Sequence, residues 1–247
     1  MKDFSGKIEE LYDLAYSWKR YDTEATYLID ICTLYGLNSG ASMLDVACGT
    51  GEHIKFLETH FICNGLDINS EMLAVAKRKL PKIDFHLGDM RNFNLIRRFD
   101  LITCLFSSIG YINGEQELMD TLKTFSTHLA DDGLIIIEPH FHIGEYKTDT
   151  ISLIKVEDAN WIISRSSESI FHGDINETRF CFVIGDKNKH AFSLLEEVHK
   201  LSIFSSSTMN VIANEAGLNC VYLDGGLKVG KGLFLLTKQE FNYATPT

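Results

Sequence analysis

Met43-Leu44-Asp45-Val46-Ala47-Cys48-Gly49-Thr50-Gly51-Glu52-His53 reads as a buried strand that turns through two glycines into a helix. Gly49 and Gly51 let the backbone come close to a ligand, and the N–H groups at the start of the next helix are donors for its polar atoms. A dinucleotide fingerprint needs a third glycine where Ile54 stands, which disfavours an NAD or FAD site. Asp45 instead places a carboxylate on the strand facing the ligand, where it would repel a pyrophosphate.

Working outward, apolar strand-like runs alternate with amphipathic segments. Strands are expected at Ser42–Ala47, Phe61–Asp67, Ile83–Leu87, Phe99–Leu105 and Gly133–Glu138. Helices fit between them at Gly51–His60, at Ser70–Lys79 with Ser70 as N-cap, and at Glu115–Leu129 ended by Asp131-Asp132-Gly133. Two further helical patterns precede the first strand, Leu11-Leu14-Ala15-Trp18 and Ala25-Leu28-Ile29-Cys32-Leu34. Such alternation implies a mostly parallel sheet covered on both faces, a Rossmann-like α/β fold.

After Glu138-Pro139 the pattern becomes antiparallel. Ile151–Val156, Trp161–Ser164 and Phe180–Ile184 alternate as strands, with turns at Gly173-Asp174 and Gly185-Asp186. A last helix near Met209–Ala216 and strands Cys220–Leu223 and Leu233–Thr237 return the chain to the main sheet. The expected division is residues 1–140 with 206–247 as an α/β domain capped by the N-terminal helices. Residues 141–205 then form an antiparallel insertion that serves as an acceptor lid, its apolar strands able to pair two subunits in a homodimer.

At 247 residues, 45% of them hydrophobic, the chain buries a sizeable core. No apolar run reaches the roughly 18–20 residues of a membrane span, and the first residues lack an apolar signal core, so the expectation is a cytoplasmic protein with no membrane partner. Six scattered cysteines without a C-x-x-C pair read as reduced core residues. A net charge of −11 opposes binding to nucleic acid and leaves a small-molecule substrate as the expected partner.

Ligands of open α/β sheets bind beyond the carboxyl ends of the strands. The second strand ends in Asp67-Ile68, where a carboxylate can accept both hydroxyls of a ribose. The third is followed by Gly88-Asp89-Met90, an acid beside an apolar side chain, suited to the amine and face of a purine. The fourth runs into Phe106-Ser107-Ser108-Ile109-Gly110-Tyr111 and supplies the opposite wall. Three acids at three successive strand ends suit an adenosine ligand that carries positive charge.

These residues resemble a family. Asp45–Gly51, Gly65-Leu66-Asp67, Gly88-Asp89-Met90-Arg91 and Phe106–Tyr111 are similar to the motifs of class I S-adenosylmethionine-dependent methyltransferases, whose sheet ends in an antiparallel strand. Tyr12–Tyr16, Glu138-Pro139 and Gly230–Phe234 extend the resemblance to the N,N-dimethyltransferases of dTDP-linked 3-amino sugars. The resemblance implies S-adenosyl-L-methionine as cofactor. It implies that Asp45, Ala47, Gly49, Gly51 and His53 surround the methionine portion, Asp67 and Ile68 the ribose, and Asp89 and Met90 the adenine, with Phe106 a further contact of the cofactor. Tyr16 would close over the cofactor near the acceptor, Lys19 and Tyr21 would reach the methionine carboxylate, and Ser107, Tyr111, Phe141 and Lys231 would contact the acceptor. An aromatic pair of those enzymes is replaced here by His140-Phe141, which points to a different acceptor pocket.

Methyl transfer from a sulfonium is an in-line displacement, so positioning and exclusion of water dominate. An acceptor that arrives as an ammonium must lose a proton first, and His140, His142 and Glu138 are candidates to take it. His140 and His142 lack a third ligand cluster, so no metal site is expected. Lys228 and Lys231 fit a solvated loop as well as they fit contacts to substrate phosphates. The leading expectation is an N-methyltransferase acting on the amino group of a small molecule, in particular a nucleotide-linked amino sugar. Methylation of another small metabolite at O or N, and a non-catalytic cofactor-binding module, are the alternatives. The Asn/Asp-Pro-Pro-Tyr/Phe block of nucleic-acid and protein-amide methyltransferases is absent from the fourth strand end.

Overall fold

The computed structural model describes residues 8–140, 150–228 and 231–240. Two compact units divide the chain, one formed by residues 21–145 and 202–247 and the other by residues 1–20 and 146–201.

The larger unit is built on seven strands in the order β10-β11-β5-β4-β1-β2-β3. These are β1 (Ser42–Val46), β2 (Ile62–Asp67), β3 (Asp84–Leu87), β4 (Phe99–Cys104), β5 (Leu129–Ile137), β10 (Asn219–Lys228) and β11 (Lys231–Thr237). Strands β1 to β5 run parallel, and β11 lies antiparallel between β5 and β10. Met43, Leu44 and Val46 are buried on both faces of β1, which explains why its sequence is a continuous apolar run. One face is covered by α2 (Tyr21–Leu34), α3 (Glu52–Leu57) and α4 (Ser70–Lys79), packed through Leu28, Ile54, Leu57 and Leu73. The other is covered by α5 (Gly114–His128) and α6 (Ser206–Glu215), through Leu118, Leu122, Phe125 and Met209.

Two local expectations are corrected. The side chain of Asn69, not Ser70, caps α4, its Oδ1 accepting from the N–H groups of Glu71 and Met72 at 2.8 and 3.2 Å. Helix α5 ends at His128, and Asp131-Asp132-Gly133 lie inside β5, where register shifts between the pairs Phe99–Leu129 and Leu101–Leu134. The extra polar residues are taken up as an irregularity of the strand instead of a helix stop.

The smaller unit is a four-stranded antiparallel sheet, β6 (Thr150–Glu157), β7 (Trp161–His172), β8 (Ile175–Asp186) and β9 (Ala191–Ser202), in that order. Helix α1 (Ile8–Ala15) packs on it, Leu11 and Ala15 meeting Ile163, Phe182 and Ile184. The first helix therefore packs with the insertion, whereas the sequence suggested a cap on the α/β domain. The opposite face of the sheet exposes Ile151, Leu153, Val183, Phe192, Leu194 and Val198.

Candidate cofactor site

The strand order reverses between β1 and β4, which makes their carboxyl ends the switch point of the sheet. Both chains leave it in strained backbone. Ala47 after β1 has φ 58°, and Phe106 and Ser107 after β4 have φ 52° and 63°, a left-handed conformation that residues with a Cβ adopt at a cost. Strain of this kind is retained only where the surroundings enforce it. Glu138, buried at the end of β5, supplies part of that enforcement, since its Oε2 accepts from the Phe106 N–H at 2.6 Å while its own N–H donates to the Cys104 carbonyl.

Beside the switch point lies a cleft of about 480 Å³, open to solvent and lined by Ala47, Leu66, Asp67, Ile68, Gly88, Asp89, Met90, Arg91, Tyr111 and Ile112. Six of these residues, Ala47, Asp67, Ile68, Asp89, Met90 and Tyr111, are ones the sequence singled out. Arg91 and Ile112 were not foreseen as lining residues. Arg91 follows the Gly88-Asp89-Met90 turn directly, so its proximity was available from the sequence.

Asp67 ends β2 and is 8% exposed. Its Oδ2 accepts from the Gly49 N–H at 2.7 Å and its Oδ1 from the Asn69 N–H at 2.8 Å. Burial raises its pKa, opposed by the N–H donors of Asn69, Gly49 and Ile68. The carboxylate keeps acceptor capacity beyond these bonds, so the group that pins the glycine turn can still accept from a hydroxyl donor in the cleft. The donors of that turn are largely used inside the protein, because Gly51 N–H donates to the Cys48 carbonyl at 2.9 Å. Gly51 itself is the left-handed N-cap of α3, with φ 78°.

Asp89 is organised differently. Its Oδ1 and Oδ2 accept from Arg91 Nε at 3.0 and 3.1 Å, and Oδ2 also from Arg91 Nη2 at 2.5 Å. Arg91 donates in turn to Glu117 at 2.7 Å. These bonds hold the Asp89 carboxyl below its ordinary range, so it stays an anionic acceptor at the cleft.

Asp45 does not line the cleft. It is 2% exposed, its Oδ1 accepting from Thr103 Oγ1 at 2.7 Å. Burial pushes its pKa up to about 6, against the opposing charge of His53 and the Thr103 bond, with Asp67 adding to the rise. His53 and Tyr21 also lie inside the larger unit. His53 Nε2 is 2.8 Å from Glu24 Oε2 in a buried pair, and Tyr21 meets the imidazole edge-on at 4.8 Å. Glu24 escaped sequence reasoning because an acid on an amphipathic helix gives no sign of burial.

The remaining candidates are dispersed. Ser107 is buried, its Oγ 3.4 Å from the Pro139 carbonyl, with His140 next in the chain. Tyr16 and Lys19 belong to the smaller unit. There Tyr16 stacks on Tyr12 at 4.5 Å and lies under the Arg165 guanidinium at 4.8 Å. Phe141, His142 and the side chain of Lys231 lie outside the described residues. Among the described residues no three His, Cys, Asp or Glu side chains converge as metal ligands, and no helix is long and apolar enough to cross a membrane.

A sheet in this order, with acids after β2 and β3 lining a cleft beside the switch point, defines the class I methyltransferase architecture. A methyltransferase domain family matches residues 43–133. The dTDP-3-amino-3,6-dideoxy-alpha-D-glucopyranose N,N-dimethyltransferase of Streptomyces fradiae is 35% identical, covering 94% of this chain and 91% of its own. The dTDP-3-amino-3,4,6-trideoxy-alpha-D-glucopyranose N,N-dimethyltransferase of Streptomyces venezuelae is 31% identical, covering 92% and 95%. Among solved structures, DesVI of Streptomyces venezuelae superposes with a TM-score of 0.88 at 30% identity, covering 96% of this chain and 100% of its own. An S-adenosylmethionine-bound amino pentose methyltransferase from Micromonospora echinaspora gives 0.82 at 28%, covering 97% and 100%. The chain belongs to the S-adenosylmethionine-dependent methyltransferases.

Proposed function

We propose that the protein transfers methyl groups from S-adenosyl-L-methionine to the amino group of a nucleotide-linked amino sugar. The observation that carries this is the likeness over more than nine-tenths of the chain to enzymes named for dTDP-amino sugars, joined to the cleft that Asp67 and Asp89 line at the strand ends. Asp67 accepts from the ribose, and Asp89 with Met90 receives the adenine. The buried, anionic environment of Asp45 and Asp67 favours the positively charged methionine portion, to which we assign Gly49, Gly51, His53 and Tyr21. The cofactor supplies an electrophilic methyl group on a sulfonium.

The work of the protein is then alignment. Near-attack positioning and exclusion of water account for most of the barrier lowering in such a displacement. Ser107, Tyr111, Phe141 and Lys231 are assigned to the acceptor, with Phe106 on the cofactor. Glu138 is committed by its bond to the Phe106 N–H and acts as a positioning residue for the β4 turn. His140 and His142 are left as candidates to take a proton from an acceptor ammonium, at an imidazole nitrogen.

The exposed apolar face of the four-stranded sheet supports a homodimer, and a cytoplasmic site of action fits a nucleotide-sugar substrate. Light scattering in solution checks the first: a mass twice that of the 27.9 kDa chain is expected, reduced by charges placed at Leu153 and Leu194. The function is tested by incubation with dTDP-amino sugars and cofactor, followed by product mass. Methylated sugar nucleotide is expected, and its absence beside methylation of an unrelated amine or alcohol would overturn the assignment.

A further inference from the structure

Glu117 stands in the first turn of α5, and its two carboxylate oxygens hold two different segments beside the cleft. Its Oε1 accepts from Arg91 Nη1 at 2.7 Å, and its Oε2 accepts from the Asn113 N–H at 2.9 Å. Asn113 follows Tyr111 and Ile112, which line the cleft, and Arg91 lines it together with Asp89 and Met90. Arg91 is tied to α5 a second time, its carbonyl accepting from Thr124 Oγ1 at 2.8 Å. An acid in the first turn of a helix is favourable there on its own account, but that role asks for no arginine partner.

Arg91 passes this anchorage on to Asp89. Its backbone N–H donates to Asp89 Oδ1 at 2.9 Å, its Nε to both oxygens at 3.0 and 3.1 Å, and its Nη2 to Oδ2 at 2.5 Å. A carboxylate offers about four acceptor sites, so these N–H groups of a single residue take most of them and leave about one, in a direction that Arg91 sets. The Arg91 side chain is 40% exposed, and an ion pair this open to water adds little to stability. What the forked geometry supplies is orientation. One fixed acceptor suits one donated hydrogen, such as an N–H of a 6-aminopurine. A 6-oxopurine would instead set a carbonyl oxygen against a carboxylate that cannot turn away.

We propose that Arg91 and Glu117 are positioning residues that set the purine specificity of the cofactor cleft: Glu117 holds Arg91, and Arg91 aims Asp89 at a 6-amino group. The inference rests on the functional reading above, in which Asp89 receives the adenine. All three residues belong to the larger unit.

The test is calorimetric titration of the full-length protein with S-adenosylhomocysteine, the demethylated cofactor, and with its 6-oxo analogue S-inosylhomocysteine. The wild type is expected to bind the 6-amino form at least about tenfold more tightly, and Asp89→Leu, which has no acceptor, should bring that ratio below about threefold. Arg91→Met should also bring it below about threefold, because the acceptor is then free to turn. Glu117→Ala should cut the ratio at least about threefold, and Glu117→Gln should recover part by keeping an oxygen for Nη1. In the Arg91→Met background Glu117→Ala should change it less than about twofold, since nothing is left to hold. A merely structural defect weakens both ligands alike and leaves the ratio unmoved. A ratio unmoved by Arg91→Met, or a Glu117→Ala effect that is equal with and without Arg91, overturns the inference. Arg91→Lys, which keeps the charge without the fork, serves by the same criteria should Arg91→Met fail to fold. A wild type without preference, or one whose preference survives Asp89→Leu, defeats the reading of Asp89 and this inference with it. A preference lost in Asp89→Leu but kept in Arg91→Met defeats this inference alone.

Discussion

Asp67 carries two tasks with one carboxylate, holding the glycine turn through Gly49 and Asn69 while facing the cleft. Replacing it by alanine strands two N–H groups and removes the acceptor proposed for the ribose. The expected outcome is a loss of about 1–3 kcal/mol in stability, read by denaturant titration, and at least about a tenfold weaker cofactor Kd by calorimetry. Asp45 gives a pH signature. Its folded pKa of about 6 stands above the ordinary 3.8, so without ligand the folded protein binds a proton that the unfolded chain has lost across that window. Stability from this group is thus present at the acid end and is lost as pH rises towards 6. A cationic ligand needs the ionised form, so cofactor affinity should fall as pH drops below about 6, and Asp45→Asn should flatten that slope. Affinity that is level in the wild type between pH 5 and 7 would contradict this placement of the charge.

At the scale of elements, the site depends on close approaches between neighbouring strands. Gly65 in β2 lies where an added Cβ would stand 2.5 Å from Phe85 Cδ1 and 2.8 Å from Cys48 Sγ. Gly65→Ala should therefore destabilise by about 1–3 kcal/mol through overpacking, lowering the thermal midpoint and loosening the turn above β1. Much of this frame was legible in the sequence, because parallel strands buried on both faces leave unbroken apolar runs, and those of β1, β2, β3 and β5 run into an acid or a glycine turn. What escaped was set by partners distant in sequence. Glu24 looks like any surface acid until His53 meets it at 2.8 Å, and Arg165 looks like a strand-face charge until three rings close around it. The cap of α4 fell to Asn69 because its side chain reaches two N–H groups, a choice between adjacent polar residues that local pattern does not decide. The division of the chain was also shifted, since α1 follows its apolar stripe to Ile163 and Phe182.

At the scale of the molecule, the larger unit has the architecture of a cofactor-binding domain, and a ligand that binds only its folded form must stabilise it. S-adenosylmethionine at about 100 times its Kd should add roughly 2.7 kcal/mol to stability, visible as a raised thermal midpoint, while NAD should leave the midpoint unchanged. The central claim concerns what receives the methyl group. Its most direct measurement is mass spectrometry of a dTDP-linked amino sugar after incubation with the protein and S-adenosylmethionine. The expected result is a sugar nucleotide heavier by one or two methyl groups, with an equal amount of demethylated cofactor for each methyl gained. Cofactor binding without any methylated amino sugar, while another small amine or alcohol is converted, would contradict it.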